Sequence, residues 1–281
     1  MKIGFLYDYG AKKEIGMGHY YRCQWIGEEL KKLGHKVFNL DDGVITTDLD
    51  AVVMDYIGDK SAWIESCKKE LIKVVVIDGT PESAALADIS ISCNFNLKAQ
   101  YRGLQYAIIP KLCGVSHYQP QGKKSTIFVS MGGYDHNNFA EMVLRVLKDK
   151  GLYAIITKSI NHPNFKEMFD NVEVSRERDF YIPMSECLFG IVNGGSTLFQ
   201  ALHYGLPCIA VPQYKYQSDA IDLVQNLCLS CLPNKDDISK NIDIIKSSEY
   251  KRESMSVLSR YHIDGSGLSR VVKLIDALGI D

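Results

Sequence analysis

The sequence predicts an α/β protein built from two doubly wound, Rossmann-like domains. Apolar, strand-like runs alternate with segments of helical periodicity along most of the chain. Runs such as Lys73–Ile77 are continuously apolar after their first residue, as in parallel strands that are buried on both faces. A polar stretch at 119–124 interrupts the alternation. With 281 residues, the chain suits two domains of roughly 140 residues each. We therefore expect domains at 1–118 and 125–281, joined by a linker at 119–124.

In the N-terminal half, the first helix is marked by apolar residues such as Cys23, Ile26 and Leu30 at helical spacing, and Gly34 ends it. Asp55 and Asp78 follow two buried runs, so they should lie at the carboxyl edge of the sheet, where open α/β folds bind ligands. The predicted strands are 2–8, 36–40, 51–55, 73–77, 89–92 and 106–109, and the predicted helices are 18–33 and 60–70.

The same alternation resumes in the C-terminal half. Two such halves should place a ligand-binding cleft between their carboxyl edges. The predicted strands are 126–130, 152–157, 172–175, 188–192 and 207–211. The predicted helices are 137–149, 164–170, 196–204, 217–226, 236–247, 250–260 and 266–278.

Composition excludes several classes of protein. Apolar residues make up 46% and charged residues 23% of the chain, and the net charge is −2, so we expect no nucleic-acid partner. No apolar run approaches a membrane span, and the N-terminus lacks signal-peptide character, which predicts a cytoplasmic protein. The eight cysteines lie mostly singly in apolar segments, as reduced thiols do. Cys228 and Cys231 form a lone pair that favours core packing over zinc or redox chemistry.

Three glycine turns lie at predicted carboxyl edges and carry the candidate site. They are Gly16–His19, Ser130–Asp135 and Asn193–Thr197. Glycine lets a backbone approach a ligand closely, and a helix start attracts anions. His19 adds an imidazole, a side chain that commonly acts as a general acid or base. None of the turns is a P-loop or a GxGxxG fingerprint, and each taken alone is equally compatible with an ordinary strand-to-helix turn.

The remaining histidines are expected to matter less. His136 lies beside the second turn, and His203 falls on the helix after the third. The others follow a helix end or lie in polar loops and are expected at the surface: His35, His117, His162 and His262.

The motifs in this order resemble a known family. The segments 15–23 (IGMGHYYRC), 130–135 (SMGGYD) and 193–212 (NGGSTLFQALHYGLPCIAVP) are similar to the UDP-sugar hydrolases of pseudaminic acid biosynthesis and to related spore-coat polysaccharide proteins. These proteins belong to the GT-B superfamily. A more distant resemblance is to the transferase that adds N-acetylglucosamine to the lipid-linked peptidoglycan precursor.

The resemblance implies roles for individual residues. His19 would activate water or orient it at the anomeric carbon without a metal or other cofactor, and the turn Gly194, Gly195, Ser196 and Thr197 would hold the diphosphate. The chemistry is consistent, since such a reaction needs a base and dipoles that stabilise the leaving diphosphate. Gln200 and Gln217 would contribute to nucleotide binding. Substrate contacts are assigned to Asp8, Gly16, Gly18, Arg22, Tyr56, Gly132, Gly133 and Asp135.

The chain also departs from that family. Gln200 stands where a glutamate is usual, Ile57 replaces a tyrosine, Pro110 replaces an arginine, and Tyr216 replaces the asparagine of an Asn-Gln pair. These changes cluster on the sugar side, whereas the phosphate side is kept.

Three functions are compatible with these observations. The first is an inverting hydrolase of a nucleotide-activated amino or deoxy sugar, with UDP as the expected nucleotide, in surface-glycan or nonulosonic acid biosynthesis. The second is a GT-B glycosyltransferase with a sugar or lipid-linked acceptor. The third is a sugar-nucleotide binding subunit without catalysis. The sequence leaves the sugar and the oligomeric state open.

Overall fold

The computed structural model of the 281-residue chain describes residues 1–8, 17–40, 48–56, 58–93, 98–110, 125–159, 161–175, 184 and 186–279. The chain divides into two compact units. The first comprises Met1–Lys111 together with Gly265–Asp281, and the second comprises Leu112–Asp264. The predicted linker at 119–124 lies outside the described residues.

Strands and helices alternate in both units. The first unit contains β1 (Lys2–Tyr7), α1 (Gly18–Lys32), β2 (Lys36–Asn39), β3 (Ala51–Asp55), α2 (Ser61–Lys69), β4 (Lys73–Ile77), α3 (Pro81–Leu86), β5 (Ile89–Ser92), β6 (Tyr101–Arg102) and a 3₁₀ turn at Leu104–Tyr106. The second contains β7 (Thr126–Ser130), α4 (Phe139–Asp149), β8 (Tyr153–Thr157), α5 (Phe165–Met168), β9 (Val172–Ser175), β10 (Phe189–Val192), α6 (Ser196–His203), β11 (Cys208–Ala210), α7 (Lys215–Leu223), β12 (Leu229–Ser230), α8 (Lys235–Ser247) and α9 (Glu249–His262). The last elements, α10 (Gly267–Asp276) and a 3₁₀ turn at Ala277–Gly279, return to the first unit.

The sheet of the first unit is buried on both faces, as its continuous apolar runs predict. Its six strands are all paired in parallel, in the order β2-β1-β3-β4-β5-β6. Side chains alternate between faces along a strand. Ile3, Phe5 and Val53 therefore pack with α1 and α10 on one face, whereas Leu6 and Met54 pack with α2 on the other.

Each sheet has a topological switch point. The strands of the second unit are also parallel, in the order β12-β11-β10-β7-β8-β9. The chain leaves β1 to one side for β2 and to the other for β3, and it leaves β7 for β8 and later for β10. Open α/β sheets bind ligands outside the carboxyl ends of the strands at such points. The expected sites therefore lie after β1 and β3, and after β7 and β10.

One helix was not predicted, although the sequence contains its start signal. The Thr80 hydroxyl accepts a hydrogen bond from the Ser83 backbone N–H at 3.2 Å, and Pro81 occupies the first helical position of α3. Both are N-terminal helix signals. The helix has six residues, which is too short for its apolar periodicity to be recognised.

The predicted strand at 106–109 is wrong. Tyr106 ends a 3₁₀ turn, and the next residues, including Ala107 and Ile108, are buried without joining the sheet. Ile108 instead packs against Leu268 and Val271 of α10. An apolar run of four residues can be buried by helix packing as well as by strand pairing, and periodicity does not separate the two.

The last helix belongs to the first unit, whereas the sequence predicted it within the second domain at 125–281. Helix α10 packs against α1 and the 3₁₀ turn of the first unit. His35 Nε2 lies 2.8 Å from Asp276 Oδ1 at the end of α10, and the His35 side chain is 9% exposed. The expectation of a surface position for His35 is therefore wrong, because this pairing covers its ring.

The cysteines among the described residues carry thiols rather than disulfide bonds, and all of these side chains are buried. Cys228 and Cys231 are among them, as expected for core residues. Within the described part of the chain, no helix is both long and apolar enough to cross a membrane.

We expect Gly267→Ala to reduce the free energy of unfolding by about 2 kcal/mol, because a Cβ at this position would overlap the backbone of Tyr106 and Ala107. Urea unfolding of the full chain measures the change. Ser269→Ala on the same helix is the matched control and should change stability little. Equal stability of the Gly267 variant and wild type would show that α10 does not pack closely on this backbone.

Candidate functional site

In the first unit, the switch point brings His19 and Asp55 together. His19 is the second residue of α1, which follows β1, and Asp55 ends β3 next to β1. His19 Nδ1 lies 2.6 Å from Asp55 Oδ1. The Asp55 side chain is fully buried, whereas the His19 side chain is 18% exposed. The imidazole is thus anchored from inside the unit and reaches its surface.

Arg22 lies one helical turn after His19 and joins Asp55 to a second carboxylate. Its Nε and Nη2 donate to the two oxygens of Asp55 at 2.9 and 2.6 Å. Its Nη1 donates to Asp78 Oδ2 at 2.5 Å. The Ser92 hydroxyl donates to the other oxygen of Asp78 at 2.9 Å. The result is a buried chain of charge-assisted hydrogen bonds across the carboxyl ends of β3, β4 and β5.

These contacts keep the buried groups charged. Burial alone would raise the pKa of Asp55, but the positive charge of Arg22 and then the contact with His19 outweigh it, and the pKa of Asp55 lies below its ordinary value. Burial alone would likewise lower the pKa of Arg22, but the charges of Asp55 and Asp78 raise it further above its ordinary value. Asp55 is therefore an ionised acceptor at neutral pH.

The contacts also assign the proton on His19. Arg22 Nη2 lies 3.2 Å from His19 Nδ1, but a guanidinium only donates and an ionised carboxylate only accepts. The shorter contact to Asp55 therefore requires a proton on Nδ1. In the neutral imidazole, Nε2 then carries the lone pair, and among the described residues it has no hydrogen-bond partner. This is the arrangement of an oriented general base.

The other residues assigned to substrate contacts in the first unit have mixed positions. Gly18 opens α1. Asp8 is 6% exposed, and its backbone N–H donates to the Asp55 carbonyl oxygen at 3.3 Å. The Tyr56 ring lies under the Lys60 ammonium group, at 3.7 Å from its centroid. Arg22 is buried and bonds to the carboxylates of Asp55 and Asp78, so its position is that of a residue that holds these side chains in place. Gly16, and Ile57 among the departures, lie outside the described residues.

In the second unit, the turn after β10 leads into α6 without a side-chain cap. Gly195 occupies the N-cap position and has no side chain to cap the helix, and its backbone N–H donates to Asn193 Oδ1 at 3.3 Å. A Cβ on Gly194 would lie 2.6 Å from the Gln217 carbonyl oxygen, so only glycine fits this approach of two loops. Gly195, Ser196 and Thr197 are partly exposed. The helix start is therefore open to an anion.

The turn after β7 is tied to the turn after β10. The Met131 carbonyl oxygen accepts from Asn193 Nδ2 at 3.0 Å and from Gln213 Nε2 at 2.7 Å. Gly132 has φ +81°, and a Cβ there would lie 2.7 Å from Asn193 Nδ2. A side chain at position 132 would thus be strained and would also displace Asn193. Gly132 and Gly133 remain partly exposed at this edge.

Asp135, assigned to substrate contacts, is used within the fold. Its carboxylate is fully buried and accepts from the backbone N–H groups of Phe139 and Ala140 at 3.0 and 2.8 Å. His162 Nε2 lies 3.2 Å from the same carboxylate. Asp135 therefore holds the start of α4. The expected surface position of His162 is wrong, because both of its ring nitrogens bond inside the unit.

The two glutamines assigned to the nucleotide are buried. Gln200 is 4% and Gln217 is 3% exposed. Gln217 Oε1 accepts from the Gln213 backbone N–H at 2.8 Å. Sequence reasoning missed Gln213 and Asn193 as the residues that connect the turns. Their signal was weak, since polar residues after strands are common.

Comparison with known proteins supports the fold. No protein-family model matches the chain, and a search of curated proteins gave no match. Among solved structures, MurG from Acinetobacter baumannii is 14% identical, covers 99% of this chain and 100% of its own, and has a TM-score of 0.73. The spinosyn rhamnosyltransferase SpnG, complexed with thymidine diphosphate, is 11% identical, covers 97% and 100%, and has a TM-score of 0.68. A UDP-N-acetylglucosamine 2-epimerase is 14% identical, covers 100% and 97%, and has a TM-score of 0.60.

These likenesses confirm the predicted GT-B fold class. They do not support the resemblance to the hydrolases of pseudaminic acid biosynthesis, and at such low identity they indicate the fold alone.

We expect Asp55→Asn to lower the free energy of unfolding by about 2 kcal/mol at pH 7, because it removes a buried, charge-assisted acceptor. The folded-state pKa of Asp55 is lowered, so its contribution is complete above the unfolded pKa of about 3.9 and is lost as pH falls through the folded value. The wild-type advantage over the variant should be present at pH 7 and shrink as the pH falls below about 4.

Urea unfolding across this pH range measures that difference. Asp48→Asn is the control, because Asp48 pairs with Lys2 at the surface and should contribute little. A wild-type advantage that is absent at pH 7, or that does not shrink below about pH 4, would contradict the ionised state of Asp55.

Proposed function

We propose that the chain is a metal-independent, inverting glycosyltransferase that uses a nucleotide sugar as donor. The observation that carries the proposal is the His19–Asp55 pair, with the 2.6 Å contact at Nδ1 and the lone pair at Nε2. Support for transfer over hydrolysis comes from the shared fold with SpnG, a rhamnosyltransferase by name that was crystallised with a nucleoside diphosphate. The hydrolase remains the alternative that the sequence motifs favour.

The proposed reaction begins when an acceptor hydroxyl donates its proton to His19 Nε2. Its oxygen attacks the anomeric carbon on the face opposite the diphosphate. The bond from that carbon to the diphosphate oxygen breaks, and its electrons leave with the nucleoside diphosphate, so the configuration inverts. Asp55 stabilises the imidazolium that forms, and Arg22 holds Asp55 ionised and in place.

The leaving diphosphate is assigned to the turn before α6. Backbone N–H groups at this helix start, together with the hydroxyls of Ser196 and Thr197, would donate to the phosphate oxygens. Such donors stabilise charge that develops as the bond breaks, with no metal ion required. The donor is expected to be a UDP-sugar.

We expect His19→Ala to lower kcat about 10²- to 10⁴-fold, because it removes the general base, while the dissociation constant of the donor stays nearly unchanged. Phosphorus NMR follows nucleotide release from a panel of UDP-, TDP- and CMP-sugars, with and without sugar or lipid-linked acceptors. Wild type should release nucleotide only when an acceptor is present, and EDTA should not inhibit it. His262→Ala, which alters an exposed histidine of α9, should retain full activity.

The other outcomes identify the alternatives. Release in water alone that disappears in His19→Ala would establish the hydrolase. Donor binding without release under any condition would establish a binding subunit. Strong inhibition by EDTA would overturn the metal-independent mechanism.

The diphosphate assignment has its own test. Ser196→Ala and Thr197→Val should each weaken UDP binding about tenfold, since each removes a hydrogen bond to a charged group. Calorimetric titration measures the dissociation constants, and Ser247→Ala at an exposed position of α8 is the control. Wild-type affinity in both variants would remove the diphosphate from this turn.

A further inference from the structure

Four aromatic rings form a continuous row at the carboxyl edge of the second unit. The Tyr134 and His136 ring centroids are 6.2 Å apart, and those of His136 and Tyr214 are 5.8 Å apart. Tyr214 and Tyr216 lie parallel, with centroids 5.4 Å apart and an interplanar angle of 8°. We name Tyr134, His136, Tyr214 and Tyr216 the aromatic row. It combines residues of the loop after β7 with Tyr214, at the end of the loop after β11, and with Tyr216 in the first turn of α7.

Polar contacts hold the two loops of the aromatic row in register. Gln213 Oε1 accepts from the His136 backbone N–H at 3.0 Å, and Gln213 Nε2 donates to the Met131 carbonyl oxygen at 2.7 Å. The Gln213 backbone N–H in turn donates to Gln217 Oε1 at 2.8 Å. These hydrogen bonds hold the backbone that carries the rings. The rings themselves reach the surface, since His136 is exposed and Tyr216 is 37% exposed.

The aromatic row adjoins the turn assigned to the diphosphate. The Gln217 backbone N–H donates to the Tyr214 carbonyl oxygen at 3.0 Å, and the Gln217 carbonyl oxygen lies 2.6 Å from the position that a Cβ on Gly194 would take. The Gln217 backbone therefore contacts Gly194 of the Asn193–Thr197 turn and also bonds to the backbone of Tyr214 in the aromatic row. The base of the aromatic row and the Asn193–Thr197 turn are thus neighbours at this edge of the second unit.

We infer that the aromatic row stacks on the hexose ring of the nucleotide sugar. The inference rests on the proposed function. Aromatic faces pack against the C–H face of a pyranose, while phenol hydroxyls and imidazole nitrogens both donate and accept hydrogen bonds at its edge. Three tyrosines and a histidine supply both properties in one surface. The substrate class is thus a hexose whose apolar face packs on the rings and whose hydroxyls bond to the polar edges of those rings.

A ring contacts the whole face of a sugar, whereas a hydroxyl or an amide binds single hydroxyl groups. Contact with the sugar face would make Tyr214 and Tyr216 specificity-determining residues for the donor.

The test compares a nucleotide with its sugar derivative. Calorimetric titration gives the dissociation constants of UDP and of UDP-N-acetylglucosamine, and of TDP and TDP-glucose, for wild type and for Tyr214→Ala. We expect the variant to bind the preferred sugar nucleotide about 5- to 10-fold more weakly and the matching nucleoside diphosphate with unchanged affinity. Tyr214→Phe keeps the ring and should retain most of the affinity for the sugar nucleotide.

Tyr216→Ala is the second variant, since its ring is more exposed and its removal should not disturb folding. Equal weakening of nucleoside diphosphate and sugar nucleotide in both variants would assign the rings to the nucleobase and overturn the inference. Unchanged affinities for both ligands would overturn it as well. Failure of wild type to bind any of the four ligands would instead reject the proposed function on which the inference rests.

Discussion

The position of Arg22 is the constraint on which the first site depends. One buried guanidinium bonds to two carboxylates that end or follow adjacent strands, at 2.9 and 2.6 Å to Asp55 and 2.5 Å to Asp78. Without it, full burial would favour neutral Asp55, and a neutral acid would not hold the His19 Nδ1 proton in the same way. A buried ion pair is weak evidence for stability, because desolvation opposes it. Here the ion pair fixes the tautomer and the direction of the partly exposed His19 imidazole.

The turns of the second unit are held together by the neutral carbonyl oxygen of Met131, whereas the first site is held by the charged Arg22 guanidinium. The Met131 oxygen accepts from both Asn193 and Gln213, so three loops meet at one acceptor. These bonds hold the glycine turns after β7 and β10 and the aromatic row in a fixed arrangement, and they leave the start of α6 open. In the proposed function, such a preformed turn would need no rearrangement when charge develops on the leaving diphosphate.

The sequence predicted the features that are local. Apolar periodicity and terminal glycine identified α1 and most strands, and glycine turns identified the edges at which His19 and Ser196 lie. What it missed requires pairing across the chain. Asp55 and Asp78 are 33 and 56 residues from Arg22, and no local pattern signals that an arginine on a helix will bond to both. The packing of α10 on the first unit could not be predicted for the same reason. The sequence shows that α10 has an apolar face, but it does not show which unit that face packs against.

If Asp55 orients His19 as a base, the neutral imidazole of His19 must carry its proton on Nδ1. Nitrogen-15 NMR of the histidine-labelled chain, at a pH where the ring is neutral, distinguishes a protonated from an unprotonated ring nitrogen. We expect the proton on Nδ1 and the lone pair on Nε2, with the proton moving to Nε2 or exchanging between both sites in Asp55→Ala. A proton on Nε2 of the wild-type protein, with Nδ1 accepting from Arg22, would contradict the account.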